Sequence, residues 1–123
     1  LRDALAQSRE AARVSAATGD RYLQAVAHWE TADILAALGE PEQALGERDQ
    51  ELCILTALDN PRNLAGNQLH RAQLLARLGR DGEAARAACA ARDAAIRVGD
   101  PRLAARVEEG LAKVERARSA APR

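Results

Sequence analysis

The 123-residue sequence predicts an all-α fold of antiparallel helix hairpins, repeated with a period of forty residues. Three observations predict it. The pairs Gly19-Asp20, Asp59-Asn60 and Gly99-Asp100 recur forty residues apart, as do Leu38-Gly39 and Leu78-Gly79. Laying 21–60 over 61–100 without a gap gives seven identities: Ala25/Ala65, Ala32/Ala72, Leu35/Leu75, Ala36/Ala76, Leu38/Leu78, Gly39/Gly79 and Ala44/Ala84. Between these marks the apolar residues follow the 3.6-residue period of a helix, and self-similarity at such a period is the signature of a helical-repeat array.

Taken in order, the segments 1–18, 21–38, 41–58, 61–78, 81–98 and 101–119 read as about six helices. The chain begins at Leu1, already within a helical pattern, so 1–20 is expected to be the second helix of a truncated repeat. Complete repeats follow at 21–60 and 61–100, then a C-terminal capping helix over 101–119 and a short tail over 120–123, all within one repeat domain. Asn60-Pro61 and Asp100-Pro101 place a side-chain acceptor at the N-cap and a proline at the first helical position, where its missing N–H costs nothing. Gly39, Gly79 and Gly99 stand where a left-handed residue ends a helix. Connections of two or three residues force neighbouring helices into antiparallel hairpins.

Each repeat has a first helix A and a second helix B. On the A helices Ala25, Ala65 and Ala105 align, as do Ala32, Ala72 and Ala112, then Ile34, Leu74 and Val114; small residues permit close approach and large ones fill the remaining space. The B helices differ. Leu45, Leu52, Leu55 and Leu58 form the apolar stripe of 41–58, whereas 81–98 offers Ala85, Arg92, Ala95 and Val98. Burying less area at these positions is expected to bring helix 81–98 closer and make its repeat the less stable. The last helix turns polar where the others are apolar, with Glu109, Glu115 and Arg118 at the positions of Trp29/Leu69, Leu35/Leu75 and Leu38/Leu78. A terminal repeat needs such a face. At the other end, Leu5 and Ala12 are expected to be exposed for want of an upstream partner.

Composition narrows the function. Eighteen basic and eighteen acidic residues cancel, leaving no overall field to draw the chain to nucleic acid or an anionic membrane. No apolar run approaches the roughly 18 residues of a membrane span, and no basic-then-apolar leader opens the chain. A soluble, cytoplasmic segment is expected. Cys53 and Cys89 lack the paired spacing of a zinc or redox site and are expected to be free, mostly buried thiols. His28 and His70 have no nucleophile nearby, Glu40/Glu42 and Glu108-Glu109 face no apolar pocket, and no glycine-rich loop precedes a helix. The sequence therefore assigns no catalytic residue, metal or cofactor, and predicts a chain that is not an enzyme.

Counting back from Gly39 and Gly79, Ala32/Ala72 and Ala44/Ala84 fall where tetratricopeptide repeats hold their small residues, and Leu35/Leu75 fall at that family's usual aromatic position. The chain resembles a tetratricopeptide repeat domain over its whole length. Its forty-residue period, and the run ARLGRDGEAARAACAARDAAIRVGDPRLA over 76–104, look like the long-helix variety common in the C-terminal arrays of large bacterial transcriptional regulators. His28, Thr31 and Leu35 occupy the positions of the family's Trp, Leu and Tyr signature. The resemblance implies a right-handed superhelix with the A helices lining its concave side. It also implies a binding surface of Val26, Trp29, Asp33 and Ala37; of Gly66, Leu69, Gln73 and Arg77; and of Arg106, Glu109, Lys113 and Arg116. An apolar patch grading into a basic end would suit a peptide with a hydrophobic anchor and an acidic portion.

The residues also admit plainer readings. Trp29 is either an anchor or a packing aromatic, and its exposure decides. The basic residues either contact anions or form a solvated face. The implied function is protein or peptide binding within a larger regulator, without direct nucleic-acid or membrane contact. Self-association through the first helix and a small-ligand sensor built on Trp29 are the alternatives.

Overall fold

The computed structural model describes residues 1–120 and places six helices among them: α1 (Arg2–Thr18), α2 (Arg21–Ala37), α3 (Pro41–Leu58), α4 (Pro61–Arg77), α5 (Asp81–Val98) and α6 (Pro101–Ala120). No strand occurs among the described residues. The fold is all-α, and each expected helix is found within two residues of its expected bounds. The tail expected at 120–123 falls outside the described residues from 121 onward, while Ala120 still belongs to α6.

Two compact units divide the chain, Leu1–Asp59 and Asn60–Arg123. In the first, α2 packs against both α1 and α3; in the second, α4 packs against α5 and α6, and α5 against α6. Each unit is thus a group of three helices.

The chain's turn chemistry fixes these helices. The αL residues are Gly19, Gly39, Gly79 and Gly99, with φ of 77, 79, 76 and 75°, joined by Asp59 at 50°. Asp59 occupies the position that Gly19 and Gly99 hold in neighbouring repeats, and Asp tolerates αL better than most residues with a Cβ. The A helices α2 and α4 end alike: Gly39 N–H donates to the Ala36 carbonyl and Glu40 N–H to that of Leu35, while Gly79 and Arg80 do the same to Ala76 and Leu75. This reversal satisfies carbonyls that a helix end would otherwise leave bare. Helix starts are capped by Asp20, which accepts from Leu23 N–H at 3.0 Å, by Asn60 from Asn63 N–H at 3.2 Å, and by Asp100 from Arg102 N–H at 2.9 Å. The B helices α3 and α5 lack a side-chain cap and carry acidic first turns instead, Glu42 in one and Asp81 with Glu83 in the other.

Small residues at the predicted contacts let the helices close in. Ala25, Ala32, Ala65 and Ala72 are at most 2% exposed, and Leu35 and Leu75 fill the space beside them. On α6 the expectation is overturned: Ala105 and Ala112 are exposed and Val114 is half-buried. The helix buries Leu103, Val107 and Leu111 instead. These sit at the repeat positions of Leu23, Ala27 and Thr31, and α2 turns Ala27 and Thr31 toward Ser8 of α1. No later B helix follows α6 among the described residues, so the face an A helix presents to its own B helix has nothing to cover. Glu109, Glu115 and Arg118 are exposed.

The B-helix stripes run differently from the expectation. Helix α3 buries Ala44, Leu45, Ile54 and Leu55 but exposes Leu58; α5 buries Ala84, Ala87, Ala91, Ala94 and Ala95 but exposes Ala85 and Arg92. The stripe is centred one position away from the one read from the leucines. Cys53 and Cys89, expected to be buried, are both exposed free thiols, because they lie beside this shifted stripe rather than on it. Leu5, expected on an open face, is 5% exposed, and Ala12 is half-buried. Helix α1 turns Leu5, Ser8 and Ser15 inward, while Val14 on the same helix stays exposed. Two buried hydroxyls meet there: Thr31 donates to the Ala27 carbonyl at 2.8 Å, and the Ser8 hydroxyl lies 2.5 Å from that of Thr31.

Candidate functional site

In the first unit the surface residues are organised by α2. Tyr22, Val26, Trp29 and Asp33 follow one another at spacings of four, three and four, which puts them on one stripe of a helix. The chain has one Tyr, one Trp and no Phe, so both its aromatic rings lie on this stripe. Tyr22 is 46% and Trp29 39% exposed, with Val26 half-buried between them. Trp29 is therefore not a core residue. Ala37, at the far end of the stripe, is also exposed.

Trp29 is nonetheless held. Its indole N–H donates to Asp33 Oδ2 at 3.1 Å, Asp33 Oδ1 accepts from Arg48 Nη2 of α3 at 2.6 Å, and Arg48 Nη1 donates to Glu51 Oε1 at 2.9 Å. The side chains of Arg48 and Glu51 are 3% and 5% exposed, against 54% for Asp33. An exposed ring is thereby connected to a buried ion pair through one carboxylate. Charge-assisted bonds of this kind are the stronger class, and burial raises the cost of leaving either charge alone. Beside it His28 Nδ1 lies 2.6 Å from Glu47 Oε2, both about a quarter exposed, and ties α2 to α3 a second time.

These four residues were not selected by the sequence reading. At the same repeat positions the second unit has Gln68, Ala87, Ala88 and Ala91 for His28, Glu47, Arg48 and Glu51, so the forty-residue alignment carried no trace of them. A signal existed: Arg48 interrupts the series Leu45, Leu52, Leu55 at helical spacing, and Glu51 follows it by three residues. An Arg on an apolar stripe calls for a buried partner.

In the second unit Leu69 is half-buried and lies against α6: a Cβ on Gly110 would come within 2.8 Å of both Leu69 Cδ atoms. Leu69 is thus a packing residue where α6 crosses α4. Gly66 is half-buried with open space about it. Arg106, Glu109, Lys113 and Arg116 are all exposed along α6. Three of the residues selected from sequence, Gln73, Arg77 and Lys113, line one cleft of about 710 Å³, with Ala76, Gly79, Asp81, Val114, Glu115, Arg118 and Ser119. It lies where the end of α4, the turn into α5 and the second half of α6 meet. Arg118 is engaged there, with Glu115 at 3.1 Å and Asp81 at 3.6 Å. Arg77 and Lys113 form no ion pair with a described residue.

Two further ion pairs fasten α6. Arg92 presents a fork to Glu108, Nε to Oε1 at 2.7 Å and Nη2 to Oε2 at 3.3 Å. That hydrogen bonding lowers the Glu108 carboxyl below its usual range and raises Arg92. Asp100 is lowered too, first by the Arg102 backbone N–H and then by the Arg62 side chain at 3.2 Å. Among the described residues no group of three or more His, Cys, Asp or Glu is placed to hold a metal ion, and no helix is long and apolar enough to cross a membrane.

Comparison with known proteins returned no family model, no curated protein and no solved structure that matches the chain.

Proposed function

We propose that this chain is a non-catalytic module that binds a protein or peptide, and that the Tyr22–Trp29 stripe of α2 is where the partner docks. The observation that carries this reading is that a chain with only two aromatic residues leaves both exposed on one helix stripe, with Trp29 fixed by Asp33. Aromatic residues of this kind dominate binding energy at interfaces, and a ring already held in one rotamer loses less entropy on docking. Tetratricopeptide-like repeats in a cytoplasmic bacterial transcriptional regulator are the setting in which the resemblance places such a module.

The single tryptophan makes the test direct. Peptides selected from a random library on the 123-residue chain are expected to shift Trp29 emission and to lose most of their affinity for Trp29→Ala. Peptides that bind Trp29→Ala as tightly as the parent, without moving its emission, would remove the stripe as the docking site.

A further inference from the structure

We propose that the cleft of the second unit is a binding site for a small organic monoanion, a carboxylate carried on a short aliphatic body. The site is separate from the aromatic stripe, since it is lined entirely by residues of the other unit. Its size, about 710 Å³, lies within the range of small-molecule pockets.

The lining states the chemistry. Ala76 and Val114 supply apolar surface, Gln73 and Ser119 neutral hydrogen-bonding groups, and five residues carry charge. Arg118 is shared between Asp81 and Glu115, whereas Arg77 and Lys113 have no ionic partner among the described residues. Three cations thus face two carboxylates in one concave space, leaving a single positive charge uncompensated. A ligand with one negative charge neutralises it. A phosphate dianion would bring a further negative charge next to Asp81 and Glu115.

Geometry favours the same ligand. Arg77 closes α4 and Lys113 stands on α6, so their charged groups approach the cleft from different helices, and an anion between them is held from two sides. The guanidinium can grip a carboxylate with two parallel N–H bonds, while the ammonium acts as a point charge. A short alkyl chain then lies over Ala76 and Val114. The requirement for both a charge and an apolar tail separates this site from a basic surface that attracts anions without discrimination.

Titration calorimetry of the 123-residue chain with hexanoate, hexanol and hexyl phosphate tests the assignment, repeated on Arg77→Gln and Lys113→Gln after circular dichroism has shown both variants helical. Hexanoate is expected to bind saturably at one site, hexanol not at all, and each substitution to weaken hexanoate roughly tenfold or more. The proposal is overturned by an absence of saturable hexanoate binding, by equal binding of hexanol, by unchanged affinity in both variants, or by a preference for hexyl phosphate. Acetate binding as tightly as hexanoate would overturn the aliphatic part.

Discussion

Trp29 and Asp33 stand one helical turn apart on α2 and are joined by a 3.1 Å hydrogen bond from the indole to the carboxylate. Asp33 turns its other oxygen to Arg48, so the rotamer of an exposed ring depends on a charge buried in α3.

Arg48 is accordingly a costly residue to remove. Arg48→Ala leaves Glu51 without its 2.9 Å guanidinium partner inside the first unit, and truncating one member of a buried pair costs about 3–5 kcal/mol. Arg48→Met combined with Glu51→Leu is expected to recover most of that loss, because two apolar groups need no counter-charge. Urea unfolding of the two variants decides: equal destabilisation by both would mean that the pair is not what Arg48 contributes.

Mid-helix glycines divide by their surroundings. Gly46 has open space where a side chain would go, so Gly46→Ala is expected to raise stability by about 0.5–1 kcal/mol through helix propensity. Gly110 lies under Leu69, and Gly110→Ile is expected to lower stability by about 2 kcal/mol as α6 is pushed off α4. Thermal unfolding should therefore move in opposite directions for the two variants.

The alanines of α5 leave a crevice of about 170 Å³ lined by Ala72, Ala84, Ala85, Ala88, Cys89, Arg92, Leu111, Val114, Glu115 and Arg118. Ala88→Leu is expected to fill part of it and to add roughly 1 kcal/mol. If α5 instead loses helicity or the melting temperature falls, the crevice is too constrained to accept the side chain.

Both thiols are accessible in the native fold. An Ellman titration without denaturant is expected to find two reactive thiols per chain, and a requirement for denaturant would contradict the exposure of Cys53 or Cys89.

Acid should loosen α6. Asp100 and Glu108 both have carboxyls lowered by bonds that exist only in the folded chain, Asp100 from an ordinary value of 3.8 and Glu108 from 4.5. A depressed folded value means stability that is present above the unfolded value and is lost as pH falls through the folded one. Between neutral pH and about 5 these groups add no pH dependence; below about 4 their contribution declines. Asp100→Asn is expected to flatten the acid limb of a stability profile, and an unchanged limb would show that the Arg62 and Arg102 bonds do not survive in solution.

Helix positions were legible from the chain because turn chemistry is local. A glycine at φ near 77° and an Asp, Asn or Pro beside it mark a helix end whatever lies across from them. Which face each helix buries was less so. Leu45, Leu52, Leu55 and Leu58 pointed to a stripe whose true centre passes through Arg48 and Glu51, since a charged pair that satisfies itself can lie where apolar residues are expected. Helix α6 misled for another reason: its register matches the repeat, but the partner that would bury Ala105 and Ala112 is not among the described helices. Of the surface residues, Gln73, Arg77 and Lys113 were marked by their repeat position, yet their meeting in one cleft depends on how α6 crosses α4, and Gly110 gave the only local hint of that crossing.

The contrast between Arg48 with Glu51 and Ala88 with Ala91 bears on any effort to idealise this scaffold. A consensus unit averaged from the two repeats and copied in tandem would draw each position separately, and two of the four combinations would set an arginine against alanine or a glutamate against alanine. Such a unit would break the buried Arg48–Glu51 pair at every copy, with the penalty multiplied along the array. The two positions have to be transferred together or not at all.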